Sequence, residues 1–83
     1  MNTYQPVNDP ISVLASFRGS VVKPLAFQWG GRDWNVRRVN MVHESRDGRA
    51  KLVYFSVSDD ANYFKLRFNS ETLAWTLEEV WSE

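Results

Sequence analysis

The sequence predicts an all-β domain of short antiparallel strands. Three observations carry that expectation. Tyr63–Asn69 alternates apolar and polar, with Phe64, Leu66 and Phe68 on one side and Tyr63, Lys65 and Arg67 on the other; period two marks a strand with one buried face. The segments on both sides alternate in matching phase when folded against it. Turn-forming pairs, Gly30-Gly31 and Asp47-Gly48, separate the other apolar runs at spacings that suit hairpins.

Met1–Pro10 reads as a flexible N-terminal arm, because Asn2, Pro6, Asn8, Asp9 and Pro10 interrupt regular structure. Residues 11–83 then form a single domain. Its first strand is Ile11–Phe17, with Ile11, Val13, Ala15 and Phe17 inward. After the turn Arg18-Gly19-Ser20 comes Val21–Trp29, with Val21, Leu25, Phe27 and Trp29 in phase. Pro24 cannot donate to a ladder, so this strand lies at an edge there or starts pairing after it. Gly30-Gly31 suits a two-residue turn whose central positions both need positive φ. Closing it pairs Trp29 with Arg32, Phe27 with Trp34 and Leu25 with Val36; the Trp29/Arg32 pair can stack as cation on π-face.

Past Val36 the phase slips. A bulge near Arg37-Arg38 would carry the third strand on through Val39, Met41 and His43. A three-residue loop, Asp47-Gly48-Arg49, then sets Val39 opposite Val57, Met41 opposite Phe55 and His43 opposite Val53. The last three strands close into a meander. Val53, Phe55 and Val57 face Phe68, Leu66 and Phe64; through the loop Asn69–Thr72 those three face Leu73, Trp75 and Leu77. A one-residue slip would turn a whole apolar set to water, so the agreement specifies the face. Leu73, Leu77, Val80 and Trp81 also fit a helical stripe, but strand explains the cross-strand pairing as well. A bulge or end is expected at Glu78-Glu79. The sum is a six-stranded antiparallel meander curling into a small, partly closed SH3-like barrel, with a sandwich of two three-stranded sheets as the alternative.

Eighty-three residues make one domain. Four Trp, three Tyr and five Phe supply a large buried area for this size. There is no cysteine, hence no disulfide framework and no thiolate chemistry. Net charge is zero but unevenly spread. Residues 18–51 hold Arg18, Lys23, Arg32, Arg37, Arg38, Arg46, Arg49 and Lys51 against Asp33, Glu44 and Asp47, while residues 52–83 are net acidic. The N-terminus has neither the basic nor the apolar region of a signal peptide, and no apolar run reaches the roughly 20 residues of a membrane span. The expectation is a cytoplasmic protein with no membrane partner.

Phe27-x-Trp29-x-Gly31-Arg32-x-Trp34-x-Val36, with Trp75-x-Leu77 later in the chain, resembles the core motif of a family of small bacterial domains of unknown function. The resemblance spans about residues 11–81. It implies a compact β fold and a bacterial origin, and it brings no activity with it. His43-Glu44 departs from the family pattern, which has a Trp there.

Catalysis has little to stand on. The one histidine, His43, sits on the apolar phase and reads as half-buried, and no second His or Cys completes a metal site. Asp59-Asp60 beside Asn62 reads as a turn. Gly30-Gly31 lacks the strand-to-helix context of a phosphate loop. The chain is therefore read as a non-enzyme with no catalytic residue, metal or cofactor. What remains is binding. The preferred reading is an accessory module that contacts a protein partner or a second copy, through strand edges, outward Tyr54 and Tyr63, and C-terminal Trp81, which off the pairing would equally cap the barrel's open end. The alternative is nucleic acid, held on Trp29, Arg32, Arg37, Arg38, Arg46, Arg49 and Lys51 by stacking and charge; the near-neutral sequence pI of about 6.6 counts against it.

Overall fold

A computed structural model describes residues 3–82. Seven strands make up one antiparallel sheet: β1 (Thr3–Arg18), β2 (Val21–Trp29), β3 (Arg32–Asn35), β4 (Arg38–Asp47), β5 (Ala50–Ser58), β6 (Asn62–Asn69) and β7 (Trp75–Ser82). Their order across the sheet is β3-β2-β1-β7-β6-β5-β4.

The seventh strand comes from a break where a bulge was expected. Val36-Arg37 does not bend one strand; it separates two. β3 pairs with β2 and β4 with β5, and these lie at opposite edges. A two-residue link between opposite edges forces the sheet to curl, yet no ladder joins β3 to β4, so the barrel stays open. One bond marks the crossing: the Arg37 N–H donates to the Ser58 carbonyl (2.9 Å).

The expected N-terminal arm is strand from Thr3 onward; Met1 and Asn2 of that arm lie outside the described residues. Thr3–Ile11 pairs with β7, and Ser12–Arg18 pairs with β2. The prolines that argued against a strand sit where the ladder is irregular. A bulge falls between Pro6 and Asp9, and Asn8 there has φ 55°, a conformation that Asn tolerates better than most residues. β1 changes partner just past Pro10, which has no N–H to leave unpaired. The sheet therefore folds at β1 and lays β2 and β3 over β6. The Phe27 and Trp34 rings meet Phe64 edge-on at 5.0 and 5.3 Å. There are not two separate three-stranded sheets, because β1 belongs to both layers.

The core sits between these layers. Phe55, Leu66 and Leu77 are fully buried on adjacent strands, ringed by Phe27, Val53, Val57, Phe64, Phe68, Trp75 and Val80. The β5–β6 register is the expected one at every pair from Val53↔Phe68 to Ser58↔Tyr63. The β6–β7 register is displaced by two: Phe68 faces Trp75 and Leu66 faces Leu77. The loop is longer than expected. The Asn69 side-chain oxygen accepts from the Glu71 and Thr72 N–H groups (2.9 and 3.2 Å), and the Asn69 N–H reaches the Ala74 carbonyl (2.9 Å). Leu73 is thereby expelled from the core: it has φ 64° and is 69% exposed. A bulge at Glu78, near the expected place, then brings Val80 inward opposite Phe64.

Two further registers differ. On β2 a bulge at Leu25, between Ala26↔Leu14 and Pro24↔Ala15, turns Leu25 outward and buries Pro24. On β4 the loop has two residues, not three, and Asn40 is the bulge. Val39 still faces Val57, but Val42, not Met41, faces Phe55, and His43 faces Tyr54. The bulge is held by the Asn40 amide donating to the Ser58 hydroxyl (3.1 Å). Apolar matching had little hold on this edge strand, since Val42 remains 52% exposed even on the inner face. Gly48 has positive φ and Arg49 does not, as in the glycine-first class of two-residue turn.

Candidate interaction surfaces

The seven residues expected to form a binding surface fall into two groups. Arg32, Arg37, Arg38 and Trp29 belong to the end of the molecule that carries the β5–β6 loop. The Arg32 guanidinium lies 3.9 Å from the Trp34 ring centroid, not on Trp29 as expected. Trp34 donates its indole N–H to the Trp29 carbonyl (3.1 Å), and Trp29 donates its own to the Asp9 carboxylate (3.2 Å). Asp9, Trp29 and Arg32 line an open cleft of about 830 Å³ between Asp9–Ser12 and the Gly30-Gly31 turn. Arg37 pairs with Asp60 at 3.6 Å, both side chains well exposed, and Arg38 lies opposite Ser58.

Acidic groups meet this first group. Asp59 accepts from the Ala61 and Asn62 N–H groups (2.9 and 2.8 Å) and from the Asn62 amide. Burial pushes its carboxyl up, but those backbone and side-chain bonds together with the Arg32 charge outweigh burial and hold it below the usual carboxylate range.

Arg46, Arg49 and Lys51 lie at the other end of the β4–β5 hairpin. From Arg38 to Arg46 is eight residues of strand, roughly 25 Å at the usual rise. Arg46 faces Lys51 directly across the ladder, and Lys51 reaches Glu44 at 3.2 Å. The candidate cations therefore do not converge on one groove, and each group has carboxylates within it. His43, expected half-buried on the inner face, is exposed on the outer one, its ring 6.0 Å from Tyr54. Among the described residues no cluster of three or more His, Asp or Glu is placed to hold a metal, and no helix is long and apolar enough to cross a membrane.

Two surfaces were only partly visible in the sequence. On the outer face Trp81 stands between Tyr4 and Tyr63 on neighbouring strands, with the Tyr4 and Trp81 rings 5.1 Å apart. All three are exposed, and Trp81 and Tyr63 border a groove of about 360 Å³ that also reaches Asn40 and Ser82. Tyr63 was legible as outward; Trp81 was visible only as a C-terminal aromatic off the expected pairing, and Tyr4 was hidden by the arm assignment. The second surface is backbone. β4 is ten residues long, pairs on one side with β5 only, and packs substantially against no other strand. In an antiparallel ladder alternate residues turn their N–H and C=O away from the partner. The pair flanking a two-residue turn bonds mutually, so Asp47, Ser45 and His43 bond to β5 while Val42, Glu44 and Arg46 present their backbone groups to the open edge. Comparison with family models, curated proteins and solved structures finds no match.

Proposed function

We propose that this chain is a non-enzymatic protein-binding module that receives an extended protein segment along the free edge of β4. The observation that carries this reading is the long unpaired edge: ten residues of strand with a ladder on one side only. The opposite edge, β3, has four residues and offers too little backbone for a stable added strand. Strand addition draws affinity from main-chain bonds and needs no special side chains, which suits a chain whose residues suggest no chemistry. The resemblance of Phe27–Val36 to small bacterial domains supports a bacterial cytoplasmic setting. A nucleic-acid role for Trp29, Arg32, Arg37, Arg38, Arg46, Arg49 and Lys51 has less support, because the cations stand in two separated groups interleaved with carboxylates.

The test is selection of peptides from a random displayed library, followed by amide-shift mapping of the best binders. The expected result is shifts concentrated on β4 and binding abolished by Glu44→Pro, which removes an edge-facing donor and leaves the β5 ladder intact. Shifts confined to the Trp29 cleft or the Tyr4–Trp81–Tyr63 face would refute it. In parallel, labelled single-stranded DNA, duplex DNA and RNA are titrated at about 50 and 200 mM salt; tight binding that weakens steeply with salt would favour the nucleic-acid reading instead.

A further inference from the structure

We propose that the segment received on β4 is β4 of a second copy of this chain, paired antiparallel about a two-fold axis at Ser45. This rests on the strand-addition reading and names its partner. The first observation is an internal mismatch. Arg46 and Lys51 face each other across the β4–β5 ladder on one face, and like charges directly opposite are unfavourable. Glu44 answers only Lys51, at 3.2 Å. Arg46 is left with an open edge on its other side.

The second observation is the order of charges along that edge. With the axis at Ser45, Glu44 of each copy lies opposite Arg46 of the other. His43 lies opposite Asp47 in the same way. On that face Glu44 then stands between two cations, Lys51 of its own copy on the diagonal and Arg46 of the second copy directly opposite. The neighbouring registers are worse. An axis at Glu44 sets carboxylate on carboxylate, and one at Arg46 sets guanidinium on guanidinium. An axis at His43 leaves Glu44 opposite Val42. An axis at Val42 matches Val42 with itself but opposes Arg38 to Arg46.

Backbone alternation agrees with the Ser45 register. Glu44 and Arg46 both present their N–H and C=O outward, so they form the mutually bonded pair, and Ser45 faces Ser45 in the close non-bonded pair. Charges on an edge strand usually discourage indiscriminate pairing. Here the signs are mixed in an order that excludes most registers and admits one, which is how charge gives specificity.

The experiment is sedimentation of the full chain from about 10 µM to about 1 mM at low salt, where charge pairs are least screened. The expected result is a monomer–dimer equilibrium. Glu44→Arg and Arg46→Glu should each weaken it about tenfold, since each spoils two symmetric pairs. The double variant E44R/R46E should return to within about threefold of the parent. Circular dichroism of each variant separates lost pairing from lost fold. Register is read independently by Ser45→Cys, in a chain without cysteine. Facing residues of a non-bonded pair lie about 4.5 Å apart at Cα, within disulfide reach, so S45C should oxidise to a covalent dimer far faster than H43C. A chain monomeric throughout, a double variant no better than the singles, or equal rates for S45C and H43C would overturn the proposal. If selected peptides still dock on β4 while the chain stays monomeric, this inference fails and strand addition stands; if peptides also avoid β4, both fail.

Discussion

Leu66→Ala tests the centre of the structure. Leu66 is 0% exposed and lies between Phe55 and Leu77, both equally buried, on the two adjacent strands. The substitution removes three carbons, a transfer loss of roughly 2.4 kcal/mol at about 0.8 kcal/mol per methylene. A cavity term adds to this, because the surroundings cannot easily collapse: Phe55 and Leu77 are fixed by ladders on both sides, and Phe27 of the facing layer packs edge-on against Phe64 of the same strand. The total belongs in the upper part of the usual range, about 3–4 kcal/mol. A domain of this length has about 4–12 kcal/mol of stability altogether, so the variant should be close to unfolding at room temperature. Urea titration followed by tryptophan emission and circular dichroism reads the change as a lower midpoint at unchanged slope. A loss under about 1 kcal/mol would mean that Leu66 is not at the packed centre of three strands, and the core assignment would fall.

Leu73→Gly should stabilise the chain by about 0.5–1 kcal/mol, because Leu73 holds φ 64° in the open and glycine adopts that conformation without a Cβ clash; a loss above about 1 kcal/mol in the same titration would contradict the loop geometry. Asp59→Asn should flatten part of the acid limb of the stability–pH curve. The folded carboxyl lies below its ordinary value of 3.8, so its contribution is complete above that value and is lost as pH falls through the folded value; an unchanged acid limb would refute the role of the Ala61 and Asn62 bonds. Trp29→Phe removes the indole bond to Asp9 and should cost about 0.5–1.5 kcal/mol by thermal or urea unfolding, with no cost expected if Asp9 is fully solvated instead. Arg32→Ala should cost about 0.5–1 kcal/mol through lost stacking on Trp34, and should leave Trp29 emission nearly unchanged; a large shift at Trp29 would favour the stacking partner that the hairpin pattern suggests.

Face was readable and offset was not. Period two assigns each inward residue of β5 and β6 to a side, and a slip of one would be punished by exposing Phe55 and Leu66. A slip of two is silent: Leu73 opposite Phe68 and Trp75 opposite Phe68 satisfy the same pattern. What decides between them is Asn69, whose side chain caps the Glu71 and Thr72 N–H groups and lengthens the loop. The same limit applies to β4, where an amide–hydroxyl contact from Asn40 to Ser58 sets the bulge. The N-terminal strand was missed for a different reason. Pro6, Asn8 and Pro10 argue against a strand that must donate at every position, but β1 bulges at Asn8 and changes partner after Pro10. The candidate site fared worse, because a cluster of arginines in sequence need not cluster in space: the length of β4 alone separates Arg38 from Arg46.

The open edge follows from the same features that shape the fold. Had Val36-Arg37 been a bulge within one strand, that strand would have bridged β2 and β5 and closed the barrel. Instead the chain crosses between edges in two residues, and Arg37 meets the far side through its N–H on the Ser58 carbonyl and its guanidinium near Asp60. β3 ends at Asn35, and past Arg38 no other strand among the described residues covers the edge that β4 presents. The protein leaves that edge long but charged: Glu44, Arg46 and Asp47 follow one another along it. A set of one sign there would repel a second copy in every register, and an apolar set would pair with many strands. On the strand-addition proposal, a mixed set, with Arg46 already crowded by Lys51, discriminates among partners by register. If β4 pairs as proposed, binding specificity resides in the order of charges along one strand edge, and the Glu44/Arg46 exchange is the perturbation that reads it.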